Sequence, residues 1–285
     1  MHLKAVIFDW AGTAVDFGSL CPINAFQAAF AARGVSVDAE DIHRFMGLRK
    51  REHIEALLVL PDIQSKWQAA NQRMPQAADV DRLYKQAEKM LIETVHDFST
   101  PTPHLIEAVA AGRSRGLKVG SCTGYTTPMM ERLVPTARCK GFMPDTWVAS
   151  DQVPQGRPWP WMIFKNMEEL GVYPPAAVVK VGDTTADICE AINAGAWAVG
   201  VVESSSLIGR KKAELDALPP RQRNLLLHKA RKQFSDAGAH FIINNMSELD
   251  DVFERIELRL EKGTPPPPMR RKKSLVSIQA AIFLI

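Results

Sequence analysis

Cysteine is scarce in this chain and widely scattered: the 285 residues hold four, at positions 21, 122, 139 and 189. They form no C-x-x-C pair and no disulfide-like spacing. The chain also opens without an apolar signal region, and both lacks lead us to expect a reducing, cytoplasmic setting. An excess of one charge is missing too. The formal net charge is +3, and Arg270, Arg271, Lys272 and Lys273 supply four positive charges in the acid-free segment 264–285. The rest of the chain is therefore within about one charge of neutral, which argues against a nucleic-acid partner. The final apolar stretch, Leu275–Ile285, is shorter than the ~20 residues a bilayer span requires, so no membrane partner is expected for the folded body.

What is present suits a globular protein: 46% apolar residues, enough to bury a sizeable core in one large domain or two smaller ones. The organising stretch is Ala5-Val6-Ile7-Phe8-Asp9-Trp10-Ala11-Gly12-Thr13. Its four apolar residues predict a strand buried on both faces, running into an acid and a small turn-forming pair. Asp9 thus stands at the carboxyl end of a central strand, where open α/β sheets bind their ligands. Taken alone, it reads equally well as a residue that turns the chain.

From about residue 19 to 98 the pattern is helical, with Phe26, Ala29 and Phe30, then Ile54, Leu57 and Leu58, then Leu83, Ala87, Met90 and Leu91 at one-face spacing. The linker Ser99-Thr100-Pro101-Thr102-Pro103 closes this unit, because it is stiff and poorly helical. Strands and helices then alternate. Strands are expected at 117–123, 146–148, 178–182 and 196–201, and helices at about 104–115, from 127, at 161–170 and at 185–194. Polar helical segments, an edge strand at 240–243 and a last helix at 246–260 complete the pattern. This predicts a doubly wound, mostly parallel, Rossmann-like α/β sheet. Residues 1–18 and 99–262 are expected to form its core domain and 19–98 an inserted all-helical cap domain. Residues 263–285, Pro-rich and basic, read as a disordered or non-native tail, with a membrane-surface anchor as the other reading.

Two more strand ends carry chemistry. Thr123-Gly124 offers a hydroxyl and exposed backbone N–H groups to an anion. Gly182-Asp183-Thr184-Thr185-Ala186-Asp187 brings two carboxylates to a helix start. Oxygen ligands from Asp9, Asp183 and Asp187 suit Mg²⁺, although Asp187 also reads as an acid favoured by the helix dipole. Lys180 is expected to pair with Asp183.

The ordered set resembles the haloacid dehalogenase superfamily and, within it, the phosphonatases. The resemblance rests on Phe8-Asp9-Trp10-Ala11-Gly12-Thr13, Met46-Gly47-Leu48-Arg49-Lys50, Thr123-Gly124-Tyr125, Gly156-Arg157-Pro158-Trp159-Pro160-Trp161-Met162 and Gly182-Asp183-Thr184. It runs from about residue 3 to 260. Most phosphatases of the superfamily carry a second aspartate two residues after the nucleophile to protonate a leaving alcohol; here Ala11 stands there. A C–P bond leaves a carbanion instead, which needs an electron sink, and a lysine imine supplies one.

The resemblance therefore implies hydrolysis of phosphonoacetaldehyde to acetaldehyde and phosphate, within 2-aminoethylphosphonate degradation. It assigns Asp9 as nucleophile, Lys50 as Schiff-base amine and His53 as proton relay. Thr123, Gly124 and Arg157 would bind the phosphoryl group, and Met46, Tyr125 and Trp10 would line the substrate pocket. Mg²⁺ would sit on Asp9, the Ala11 carbonyl and Asp183, with Asp187 reaching it through water. A homodimer is implied as well. The residues alone leave other readings open: Lys50 as a solvated charge in a basic run, His53 as a packed or capping residue, and Arg157 stacked on Trp159 or Trp161. A phosphomonoesterase or phosphomutase on the same fold is the alternative activity, and a non-catalytic phosphate-binding protein a further one.

Overall fold

The structure, a computed structural model, describes residues 1–268. The basic run 270–273 and the apolar stretch 275–285 assigned to the tail lie outside the described residues. Six strands form one sheet: β1 (Ala5–Phe8), β2 (Lys118–Thr123), β3 (Val148–Ala149), β4 (Val178–Gly182), β5 (Trp197–Val201) and β6 (Phe241–Ile243). Their order is β3-β2-β1-β4-β5-β6, and every pairing is parallel. The third strand begins two residues later than expected. There Thr146 instead uses its carbonyl to accept the Ser121 N–H at 2.9 Å, while its hydroxyl donates to Asn166.

Alternation along β1 explains why all four of its residues are apolar. Val6 and Phe8 face one core cluster with α6 (Leu105–Ser114), α7 (Thr127–Cys139) and α12 (Leu249–Glu261). Ala5 and Ile7 face the opposite cluster with α8 (Trp161–Leu170), α9 (Thr185–Ala194), α10 (Lys212–Asp216) and α11 (Pro220–Ala237). A central parallel strand is covered on both faces, so it has no polar side to show.

Between β1 and β2 come only helices: α1 (Cys21–Ala31), α2 (Ala39–His43), α3 (Lys50–Leu58), α4 (Pro61–Asn71) and α5 (Ala77–Thr94), then a 3₁₀ turn at Val95–Phe98. Phe26, Phe30, Ile54, Leu57 and Leu83 meet in a third cluster of their own. The apolar stripe of α5 runs past that cluster, and Leu91 and Val95 enter the core, as do Cys21 and Ala25 from α1. The insert is thus rooted in the sheet domain at both ends.

The two connections are tied side by side. The Thr102 N–H donates to Ala14 O at 2.9 Å, and its hydroxyl donates to Thr13 O at 2.6 Å. Asp16, in the left-handed region at φ 56°, accepts the N–H groups of Leu20 and Cys21, both at 3.0 Å, and so covers donors exposed at the start of α1.

Candidate active site

The sheet's strand order reverses at β1 and β4, the crevice where doubly wound folds hold ligands. Asp9 follows β1 there and Asp183 follows β4, with Thr123 ending the neighbouring β2. The Asp9 N–H donates to Val181 O at 2.9 Å, so the nucleophile candidate stands on rigid sheet backbone. Gly12 turns the chain directly behind it at φ 85°, and a Cβ at that position would collide with the Asp183 carboxylate. Only glycine meets both demands.

Arg157 is the electrostatic centre. It is 2% exposed, and its Nη2 lies 2.7 Å from Asp9 Oδ1 and 3.0 Å from Asp187 Oδ1, while Nε lies 2.8 Å from Glu190 Oε2. Stacking on Trp159 or Trp161 is not what holds it. Three carboxylates do, which burial of a guanidinium requires. Lys180 Nζ lies 2.9 Å from Asp187 Oδ1, so the expected partner, Asp183, is corrected to Asp187. Asp187 Oδ2 is also engaged, accepting the Thr184 hydroxyl at 2.6 Å and its N–H at 3.2 Å in a capping box.

Asp183 is less committed. Its Oδ2 accepts the Ser206 N–H at 2.8 Å, and the Thr13 hydroxyl is 3.4 Å from Oδ1. Burial, with Asp9 and Asp187 nearby, pushes its pKa well above the usual carboxylate range. Burial also raises that of Asp9, against the pull of Arg157. Carboxylates that repel each other in a dry site are suited to share a cation. Asp9, Asp183 and Asp187 offer oxygens all within 4.8 Å of one another, so this acidic triad could bind a metal. The donor set, oxygen only, fits a hard divalent ion.

Across a narrow cavity of about 20 Å³, Lys50, Met46 and Gly47 of the helical insert face Asp9, Thr123 and Arg157 of the sheet. Ala11, Gly124 and Tyr125 line the same space. Lys50 is the first residue of α3, 6% exposed. Burial lowers its pKa to about 8; Arg157 assists, and Cys21, Asp9 and Asp183 oppose. Among the described residues, larger cavities of about 630 Å³ beside α2 and α11, 480 Å³ beside the end of α8 and 340 Å³ along β6 hold no comparable set of buried carboxylates.

Three expected site residues, Trp10, His53 and Asp187, fall outside this lining. Trp10, expected in the substrate pocket, packs edge-on against Phe142 at 5.1 Å in the core beneath. Successive side chains leave the strand end on opposite sides, so Asp9 facing the cavity sends Trp10 away from it. His53 lies one turn behind Lys50, wholly buried against Phe26. Its Nε2 is 2.8 Å from Ile42 O, and its Nδ1 has no hydrogen-bond partner. Burial holds its pKa well below the ordinary histidine value.

Sequence reasoning missed Glu190 and the Ser206 N–H. The signal for Glu190 was available: it stands one helical turn after Asp187, on the face α9 buries. Ser206 carries none, since it contributes backbone only.

Comparison with known proteins agrees with this geometry. The haloacid dehalogenase-like hydrolase family matches residues 3–195. The phosphonoacetaldehyde hydrolase of Nitratidesulfovibrio vulgaris is 42% identical over 93% of this chain and 95% of its own length. The chain belongs to the phosphonoacetaldehyde hydrolase family of that superfamily. A bifunctional phosphonoacetaldehyde hydrolase/aminoethylphosphonate transaminase of Clostridioides difficile is another relative in this family, 42% identical over 90% of this chain and 40% of its own. The crystal structure of a phosphonoacetaldehyde hydrolase-like protein from Oleispira antarctica superposes with a TM-score of 0.91 at 32% identity, covering 93% of this chain and 96% of that one. Among the described residues no helix is long and apolar enough to cross a membrane.

Proposed function

We propose that this chain hydrolyses the C–P bond of phosphonoacetaldehyde, with Lys50 and Asp9 as its two covalent centres. The observation that carries the reading is a buried lysine amine facing a phosphoryl site across one cavity, with Ala11 at the position where an ester hydrolase of this fold keeps its acid. Neither phosphate-ester hydrolysis nor simple phosphate binding has a use for that amine.

The neutral Lys50 amine attacks the aldehyde carbon, and the carbinolamine takes up one proton as it loses water, leaving an iminium. Asp9 attacks phosphorus, and the C–P electron pair moves into the iminium to give an enamine. Arg157, Thr123 and the backbone at Gly124 hold the phosphoryl oxygens as charge builds on them. Protonation of the enamine carbon and hydrolysis of the imine release acetaldehyde and free Lys50. Water then opens the aspartyl phosphate and releases phosphate. His53 serves as proton relay through its unpartnered Nδ1, from one turn behind the amine.

Mg²⁺ is the metal that Asp9, Asp183 and the Ala11 carbonyl would hold, with Asp187 reaching it through water. When bound, it supplies positive charge between the nucleophile and the incoming phosphonate. A cavity of about 20 Å³ admits little more than a water molecule. Residues 19–98 therefore act as a cap domain that opens to admit substrate and closes to exclude water.

The bifunctional relative pairs this activity with aminoethylphosphonate transamination, which supports a place in 2-aminoethylphosphonate breakdown. We take the enzyme to be a cytoplasmic homodimer. Borohydride added with phosphonoacetaldehyde is expected to fix a two-carbon adduct on the Lys50 peptide. Labelling elsewhere, or none, would overturn the assignment.

A further inference from the structure

The cap residue next to Lys50 grips the sheet domain. Arg49 Nη2 donates to Ser150 O at 2.7 Å and Val153 O at 2.6 Å, and Nη1 donates to Pro154 O at 3.1 Å. Its stem lies along Gly156, where an added Cβ would come within 2.8 Å of Arg49 Cγ. One guanidinium thus holds three carbonyls of the loop that ends in Arg157.

That loop is tied to the phosphoryl site at its other end. The Ser150 hydroxyl donates to Gly124 O at 3.2 Å and Tyr125 O at 3.1 Å. The grip is also returned, since Arg157 Nη1 points back at Gly47 O at 3.4 Å. Between these contacts the Leu48 carbonyl rests on Gly124, where a Cβ would meet it at 2.7 Å. Residues 47, 48 and 49 each touch the sheet domain, and residue 50 is the amine.

We infer that Arg49 is a positioning residue for Lys50: its clasp on the Ser150–Pro154 carbonyls holds the cap closed and fixes the amine opposite Asp9. The chemistry supports this division of labour. Guanidinium donors matched to several carbonyls give directional hold. Arg51, on the other side of Lys50, pairs within the cap with Asp81 at 2.9 Å and contributes nothing to closure.

The inference rests on Lys50 as the Schiff-base amine, so its test separates the two. Competitive acetylation of Lys50 against an exposed lysine, followed across pH in the full-length protein by peptide mass spectrometry, reports access and proton affinity without turnover. In the unsubstituted protein the labelling midpoint is expected near 8. In Arg49→Met, which keeps the stem and loses the donors, Lys50 should label faster and its midpoint should rise toward 10.5, because an open cap rehydrates the amine. The kcat/KM for phosphonoacetaldehyde should fall by about 10- to 100-fold. Arg49→Lys, which keeps one donor group, should recover part of both. Unchanged labelling rate and midpoint in a folded Arg49→Met would overturn the clasp, as would a kcat/KM loss that Arg49→Lys does not relieve. A shifted midpoint together with failed borohydride trapping at Lys50 in the unsubstituted protein would leave the clasp standing and remove the proposed reaction.

Discussion

Lys50 Nζ stands 4.9 Å above the centroid of the Tyr125 ring, so the amine that should be neutral for catalysis faces a surface that favours its charged form. Burial works the other way and wins, leaving the pKa at about 8. The ammonium form cannot attack a carbonyl. Turnover limited by imine formation is therefore expected to rise with pH through about 8 and level off above it. Removing the ring removes a cation–π contribution of about 0.5–2 kcal/mol. Tyr125→Leu should move the midpoint of the rising limb to lower pH by about 0.4–1.5 pH units. A kcat/KM profile over pH checks this, and a shift to higher pH would contradict it.

Arg157 should not be replaceable by lysine. A single ammonium cannot reach Asp9, Asp187 and Glu190 together, and the carboxylate left over stays buried without a partner. Arg157→Lys is expected to cost about 3–5 kcal/mol of stability and to lower kcat/KM by at least 100-fold. Denaturant unfolding and steady-state kinetics measure the two effects. Loss of activity with unchanged stability would mean that the guanidinium is not the counterion of the buried acids.

Ala11 predicts a change of reaction. Ala11→Asp places a carboxyl group in the cavity, where a leaving alkoxide could take its proton. Phosphate-ester turnover should rise by about 10-fold or more while C–P cleavage falls, because a further acid beside Lys50 favours its ammonium form. Parallel assays with a small phosphate ester and with phosphonoacetaldehyde test this. An unchanged ratio of the two rates would separate Ala11 from the choice of bond.

Trp10 is expected to be a stability residue, although it directly follows Asp9. Its side chain is among the largest that are fully buried, and Trp10→Phe should lower the melting temperature with little effect on KM. Trp10→Ala should cost about 3–5 kcal/mol. A large KM increase in a still-stable Trp10→Phe would place the indole in substrate contact.

The strand ends were legible because their signals are local. An apolar run followed by Asp9, by Thr123-Gly124 or by Gly182-Asp183 declares both a buried strand and what stands at its tip. Trp10 shows the limit of that reasoning, since a neighbour in sequence can point the opposite way. The clasp and the Arg157 network were not legible for a different reason. Arg49 meets its carbonyls 101 to 105 residues away, and a backbone oxygen leaves no mark on the residue that carries it. Glu190 lies 33 residues from Arg157; its place one turn after Asp187 marks a charge on the buried face of α9 but does not say which cation meets it.

The tie between the two connections of the insert bears on how such a protein can change. Thr102 fastens the returning chain to Thr13 and Ala14, so everything between those points is a loop whose ends already meet. Doubling such a loop adds only ~0.6 kcal/mol of closure entropy. On the proposed mechanism, the phosphoryl machinery on the sheet and the amine in the helices are in that sense separate modules joined at one seam. A different set of helices, grafted at residues 16–20 and 99–102, would bring a new chemistry to the same Asp9.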